Sequence, residues 1–121
     1  HATAMRDGVA AAGNLLQSDA IPARMVAAFS ASSSPFPARI LAGMRAALEA
    51  GGEEGPVHSA GLLVVRDVAW PIADLRIDWT DGDPIAELEQ LWLRYEPQLE
   101  AYVTRAVDPG AAPSFDVPGD R

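Results

Sequence analysis

Two side chains in this sequence have types and positions that suit catalysis. His58 lies just before an apolar run, where an imidazole could orient a substrate, act as a general base, or simply lie partly exposed at the end of a strand. Asn14 follows Gly13, so its carboxamide could donate a hydrogen bond to a developing oxyanion, or it could be a bulge or turn residue in a left-handed position. The residues alone leave these alternatives open.

Three charged residues of one short stretch are candidates for substrate binding. Asp74, Arg76 and Asp78 alternate with apolar residues, so they lie on one face of a strand. The two carboxylates are then about 13 Å apart, too far to share a proton or a water, and an ordinary charge ladder is the other interpretation. His1 and His58 are the only imidazoles and cysteine is absent, so no three-histidine or thiolate metal site can form within the chain. We predict no metal and no cofactor.

Two strand signals must position these side chains. Ala60–Val65 is a continuous apolar run, which is typical of a strand buried on both faces. Ala73–Trp79 alternates with period two, with Trp79 on its apolar side, and predicts a half-buried strand. We interpret the pair as a hairpin with one strand central in a sheet and the other nearer an edge.

Helices are predicted on both sides of this hairpin. The first begins after a cap at Ser18 or Asp19, and the second runs from about Pro37 to Ala50, where glycines end it; together they form an αα-hairpin. A third begins at Asp83–Pro84 with Asp83 as its cap, and a break is expected near Glu96 because Pro97 follows. The sequence therefore predicts an α+β chain.

The segments before the first helix give weaker signals. His1–Asp7 is a short polar segment that Gly8 terminates. Val9–Leu16 is ambiguous between helix and strand, and we interpret it as a short buried strand. With this strand added to the hairpin, the sheet would have at least three strands covered by helices.

Composition excludes several classes of function. The chain has 121 residues, a net charge of −8 and a sequence pI near 4.5, so a basic face for nucleic acid or for an anionic membrane surface is not available. No apolar run approaches the roughly 20 residues of a membrane span, and the chain does not start with a secretory signal. We predict a cytoplasmic protein that binds neither nucleic acid nor membranes.

Several stretches taken together resemble one protein family. In chain order they are Gly13–Leu16, Leu41–Gly52, Ser59–Val65, Asp74–Asp78, Asp83–Leu88, Tyr102–Ala106 and Pro113–Phe115. They are similar to the C-terminal half of the DUF1028 family, a bacterial and archaeal family of unknown function that is grouped with the N-terminal-nucleophile hydrolase folds. The loop Gly52–His58 departs from the family pattern, because an acidic loop and a histidine replace a basic loop and an amide.

The resemblance implies a fold and a domain organisation. Residues 1–107 would form the C-terminal part of one α+β domain, a partial αββα sandwich with a mostly antiparallel sheet covered by helices. Residues 108–121 would be an extended or disordered tail, with Phe115 and Val117 as its only sizeable anchors. No methionine precedes His1, so we expect either a domain excised from a longer protein or a second subunit released by proteolysis.

The resemblance also implies two alternative functions. The chain would be part of an amide-bond hydrolase whose nucleophile lies outside it, or a non-catalytic binding or assembly subunit of the same fold. In the first case Asn14, His58 and His1, which occupies the position of a family histidine, would be catalytic. The expected partners are the N-terminal half or a companion subunit, a small amide substrate and further copies in an oligomer.

Overall fold

Within residues 1–114, the fold consists of two β-hairpins and four α-helices. The structure, a computed structural model, describes residues 1–114, so the predicted anchors Phe115 and Val117 lie outside the described residues. The elements are β1 (Ala2–Arg6), β2 (Val9–Gly13), α1 (Ile21–Ala31), α2 (Phe36–Glu49), β3 (Ala60–Val64), β4 (Ala73–Ile77), α3 (Pro84–Tyr95) and α4 (Leu99–Val107), with short 3₁₀ turns at Glu96–Gln98 and Pro109–Ala111. The prediction of an α+β chain is confirmed.

The first hairpin joins β1 and β2 in antiparallel register, from Ala2 opposite Gly13 to Arg6 opposite Val9. Its turn contains Gly8 at φ 77°, a conformation that glycine adopts without steric cost. The short polar segment before Gly8 is thus a strand, which its residue pattern does not predict. The prediction that the second strand is buried was wrong, since its residues alternate between half-buried and exposed.

The two helices after this hairpin pack closely against each other. The rings of Phe29 and Phe36 meet edge to face at 5.9 Å, which supports the predicted αα-hairpin. α1 begins later than its predicted cap: Ala20 occupies the cap position, because Ser18 Oγ accepts a hydrogen bond from the Ala20 N–H in a turn before the helix. Neither Ser18 nor Asp19 caps the helix.

Glycines end α2 as predicted. The Gly52 N–H donates to the Ala47 carbonyl at 2.9 Å, and Gly51 and Gly52 have φ values of 117° and 64°. A β-branched or bulky residue would be strained at both positions. The chain can therefore reverse at once into the loop that leads to His58.

The second hairpin, β3–β4, confirms the predicted antiparallel pair, with Leu62 opposite Leu75. The prediction that its first strand is buried on both faces was wrong: Leu62 and Val64 are buried, whereas Leu63 is 58% exposed and Val65 is 67% exposed. The reason is that helices cover only one face of the hairpin. The described residues form two separate two-stranded sheets, so neither strand is central in a larger sheet.

The core lies between the β3–β4 hairpin and the last two helices. Leu62, Leu75, Leu88, Trp92 and Leu99 are all buried in it. α3 begins as predicted, because Asp83 Oδ1 accepts a hydrogen bond from the Ala86 N–H at 2.9 Å. The predicted break near Glu96 is the 3₁₀ turn between α3 and α4.

Both hairpins carry helices on one face and leave the other face open. α1 packs against β1 and β2, and α3 packs against β3 and β4. The strand residues on the open faces are exposed. They are Thr3, Met5, Ala10 and Ala12 in the first hairpin and Gly61, Leu63, Asp74 and Arg76 in the second. Much of this open surface is small or apolar.

Candidate functional site

Two loops that are distant in sequence are joined by backbone hydrogen bonds at the end of the first hairpin. The Gln17 N–H donates to the Gly52 carbonyl at 2.9 Å, and the Glu54 N–H donates to the Leu15 carbonyl at 2.7 Å. Leu15 has φ 51°, a conformation that costs a non-glycine residue roughly 1–3 kcal/mol. These bonds hold the chain around Asn14 against the loop that follows α2.

Asn14 is one of the residues that line a cavity of about 310 Å³, which we call the Asn14 cavity. The residue is exposed, and its carboxamide makes no hydrogen bond within residues 1–114. Most of the cavity wall is aliphatic, formed by Leu16, Ile21, Met25, Met44, Ala47, Leu48, Val57 and Ile85. The amide of Asn14 is thus a polar group without a partner among the described residues, beside an apolar cavity.

His58 is held in one orientation by contacts on two sides. Its ring stacks on the ring of Trp79 with a centroid distance of 3.9 Å and an angle of 10°. Its Nδ1 lies 2.8 Å from the carbonyl oxygen of Thr80, and the Thr80 N–H donates back to the His58 carbonyl at 2.8 Å. Because a carbonyl oxygen only accepts, Nδ1 carries the proton, and in the neutral ring Nε2 is the basic nitrogen.

The cavity beside this ring, which we call the His58 cavity, has a volume of about 360 Å³. Apart from His58, its titratable lining residues are all acidic: Glu53, Asp81 and Asp83. Asp81 Oδ1 lies 3.7 Å from His58 Nδ1, and the Asp81 side chain is otherwise exposed. Leu48, Glu53 and Val57 line both cavities, so the cavities adjoin.

Arg45 of α2 fixes one wall of the His58 cavity. Its Nη1 donates to Asp83 Oδ2 at 2.8 Å, and its Nε and Nη2 donate to the two carboxylate oxygens of Glu89 at 3.2 and 3.1 Å. The hydrogen bond from Arg45, assisted by the Ala86 N–H, lowers the pKa of the Asp83 carboxyl. Since Asp83 already has these partners, Glu53 and Asp81 are the acidic groups of the cavity that remain available to a ligand.

The other predicted site residues lie apart from the two cavities. Arg76 donates to Asp78 at 2.9 Å on exposed surface, and this hydrogen bond is the main cause of the raised pKa of Arg76. Asp74 is exposed on the same face. His1 is exposed and lines neither cavity. It is nevertheless near Asn14 in the hairpin, because the next residue, Ala2, pairs with Gly13.

The structure also assigns partners that the sequence did not reveal. Trp79 was expected on the inner side of its strand but is 69% exposed, because β4 ends at Ile77 and the indole stacks on His58 instead. Thr80 fixes the tautomer of His58 through a backbone carbonyl, a contact that side-chain patterns do not signal. Within residues 1–114, no group of three His, Asp or Glu side chains is placed to hold a metal ion, and no helix there has the length and apolar character to span a bilayer.

These features define a small α+β chain with two half-covered antiparallel hairpins and a pair of adjoining cavities. The chain belongs to the DUF1028 family, a family of unknown function whose sequence profile matches residues 1–88. A crystal structure of a DUF1028 protein from Silicibacter pomeroyi is similar, with 37% identity and a TM-score of 0.60 over 69% of this chain. This chain covers 36% of the length of that protein. No match was found among curated proteins.

Proposed function

We propose that this chain is part of an amide-bond hydrolase of the N-terminal-nucleophile type, with the nucleophile outside it. In such a reaction the nucleophile attacks the carbonyl carbon, the C–N bond breaks, the amine leaves with a proton, and water releases the acid from the acyl-enzyme. The observation that carries the proposal is that Asn14, whose amide has no partner among residues 1–114, and His58, whose imidazole is oriented, line adjoining cavities.

Each of the two residues has a role that its surroundings support. The Asn14 carboxamide donates to the oxyanion that develops on the carbonyl oxygen, since no described residue competes for it. His58 presents Nε2 as a proton acceptor, because Thr80 occupies Nδ1. We leave His1 and the three charged residues Asp74, Arg76 and Asp78 outside this mechanism, since none of them lines either cavity.

The open hairpin faces support the proposed αββα sandwich. In a four-layer sandwich each sheet packs on helices with one face and on the other sheet with the second face. The hairpins of this chain have helices on one face and exposed small or apolar residues such as Met5 and Leu63 on the other. We propose that the N-terminal half or a companion subunit supplies the strands that cover them.

Replacing Asn14 tests the catalytic proposal. In the protein that carries both this chain and the nucleophile, Asn14→Ala should lower turnover of an amide substrate at least tenfold with a smaller change in binding, because loss of one oxyanion donor typically costs about 10²–10³ in turnover. His58→Ala should have the weaker effect. The matched control is Gln98→Ala, which removes a carboxamide that lines neither cavity and donates to the Arg94 carbonyl one turn earlier.

The opposite result for Asn14 would assign it to the scaffold. A structural asparagine would lose stability on replacement, typically about 1 kcal/mol, with turnover nearly intact. Asn14→Ala with full turnover and a lower melting temperature therefore contradicts the oxyanion role.

A non-catalytic assembly subunit is the second candidate, and the exposed side chains of Leu63 and Val65 favour it. Two neighbouring apolar residues of this size on the open side of a hairpin are typical of a protein–protein interface. A Leu63→Lys, Val65→Lys variant should then lose its oligomeric or partner-bound mass in size-exclusion chromatography with light scattering. If the mass is unchanged, this surface is not the interface.

A further inference from the structure

The Asn14 cavity has a wall suited to an aliphatic group. Its lining contains no aromatic residue, and its largest side chains are leucine, isoleucine and methionine. Methionine is unbranched and adapts its shape to flexible chains, and two methionines, Met25 and Met44, line this cavity. A water molecule occupies roughly 30 Å³, so the cavity volume of about 310 Å³ has room for roughly ten groups of the size of a water molecule.

The adjoining His58 cavity has a different character. Asp81 and Asp83 line it in addition to Glu53, which lines both cavities, and neither lining contains Lys or Arg. A ligand that extends from one cavity to the other would pass Leu48, Glu53 and Val57, which line both, and Glu53 belongs to the loop that backbone hydrogen bonds hold against the chain around Asn14. The complementary ligand is apolar at one end, has a hydrogen-bond acceptor in the middle, and is neutral or cationic at the other end.

We propose that the site takes N-acylated amines with a linear aliphatic acyl chain. The acyl chain occupies the Asn14 cavity, the amide carbonyl lies at Asn14, and the amine portion, carrying a positive charge, occupies the His58 cavity. The proposal rests on the proposed function for the identity of the central amide, but the two-cavity binding mode has its own test.

The test measures binding without hydrolysis. The probes are N-alkylsulfonyl ethylenediamines, in which a sulfonamide replaces the cleavable amide, with alkyl chains of two to twelve carbons, titrated into the full-length protein by isothermal calorimetry. The dissociation constant should fall roughly two- to fourfold for each added methylene, as burial of apolar surface requires, and should level off near ten carbons. The matched N-alkylsulfonyl glycines, which end in a carboxylate, should bind at least tenfold more weakly.

Variants locate the alkyl chain. Ala47→Leu reduces the volume of the Asn14 cavity and should weaken binding of the octyl probe at least tenfold while leaving the ethyl probe within twofold. Ala47→Val adds less volume at the same position of the cavity wall and serves if Ala47→Leu does not fold. The matched control is Ala23→Leu, at an exposed helical alanine that lines neither cavity; it should change neither affinity.

The outcomes separate this inference from the proposed function. A dissociation constant that does not depend on chain length, or equal weakening of the octyl probe by the Ala47 variant and by Ala23→Leu, overturns the two-cavity binding mode. If chain-length dependence holds but the corresponding N-acyl ethylenediamines are not hydrolysed, the binding mode stands and the hydrolase proposal fails. If these amides are hydrolysed at a rate independent of chain length, the hydrolase proposal stands and the binding mode fails.

Discussion

Replacing Asp83 should separate two interactions that one carboxylate makes. Its Oδ1 accepts the Ala86 N–H and begins α3, while its Oδ2 accepts from Arg45 of α2. Asparagine serves about as well as aspartate as a helix cap but has no charge for the arginine. Asp83→Ala therefore removes both interactions, whereas Asp83→Asn removes chiefly the ion pair.

The expected magnitudes follow from the exposure of the two partners. Loss of a capping side chain typically costs about 1 kcal/mol. The side chains of Arg45 and Asp83 are 27% and 38% exposed, so the ion pair is partly screened and should contribute about 0.2–1 kcal/mol. We expect Asp83→Ala to lower the free energy of unfolding by about 1.5 kcal/mol and Asp83→Asn by about 0.5 kcal/mol.

The measurement is urea unfolding followed by circular dichroism at several pH values. Arg45 lowers the pKa of Asp83 in the folded state, so the folded protein binds fewer protons there than the unfolded chain. The contribution of the charge is then fully present above the unfolded pKa of about 3.9 and is lost as the pH falls through the lower folded pKa. The difference between wild type and Asp83→Asn should be constant from pH 7 to about pH 5 and should shrink below about pH 4.

Two results would refute this reasoning. Equal losses for the alanine and asparagine variants at pH 7 would mean that the Ala86 hydrogen bond contributes nothing to α3. A wild-type advantage over Asp83→Asn that grows below about pH 4 would mean that the carboxyl group is protonated more readily in the folded protein, contrary to its pairing with Arg45.

Two further predictions concern the core and the open face. Trp92→Ala should lower the free energy of unfolding by about 3–5 kcal/mol in urea unfolding, because the side chain is only 5% exposed. Trp79→Ala should lower it by less than about 1 kcal/mol, because that side chain is 69% exposed. Equal losses of stability would contradict the placement of the core. The isolated 121-residue chain should aggregate or lack a cooperative thermal transition, because Leu63 and Val65 are exposed. Addition of the N-terminal half should restore a cooperative transition. A sharp, reversible transition of the isolated monomeric chain would contradict this prediction.

Local signals in the sequence predicted most of the element boundaries. The Asp83–Pro84 helix start, the Gly51–Gly52 helix end and the break near Glu96 each depend on backbone chemistry within a few residues, so no knowledge of the tertiary fold was needed. β1 was missed because Ala2–Arg6 has little apolar periodicity and gains its strand conformation by pairing with β2. The Asp7–Gly8 pair was the available signal for that hairpin.

The burial of β3 and the assembly of the site could not be predicted from local signals. The run Ala60–Val65 gives the same pattern whether its second face is covered or open, and only the packing of helices on one side decides this. Asn14 and His58 were proposed separately, and backbone bonds between the Leu15 and Glu54 segments bring their cavities together. Main-chain bonds between distant loops leave no trace in residue type.

The stack of Trp79 on His58 also makes the site optically observable. An exposed indole emits at longer wavelength than a buried one, so in a Trp70→Phe variant, which lacks the third and partly exposed indole, Trp79 and the core residue Trp92 should contribute separable fluorescence bands. The ring of His58 covers one face of the Trp79 indole at a centroid distance of 3.9 Å, so a ligand that disturbs the stack changes the exposure of this indole to water. In that variant the red-shifted band therefore reports ligand binding at the stack, without an added label.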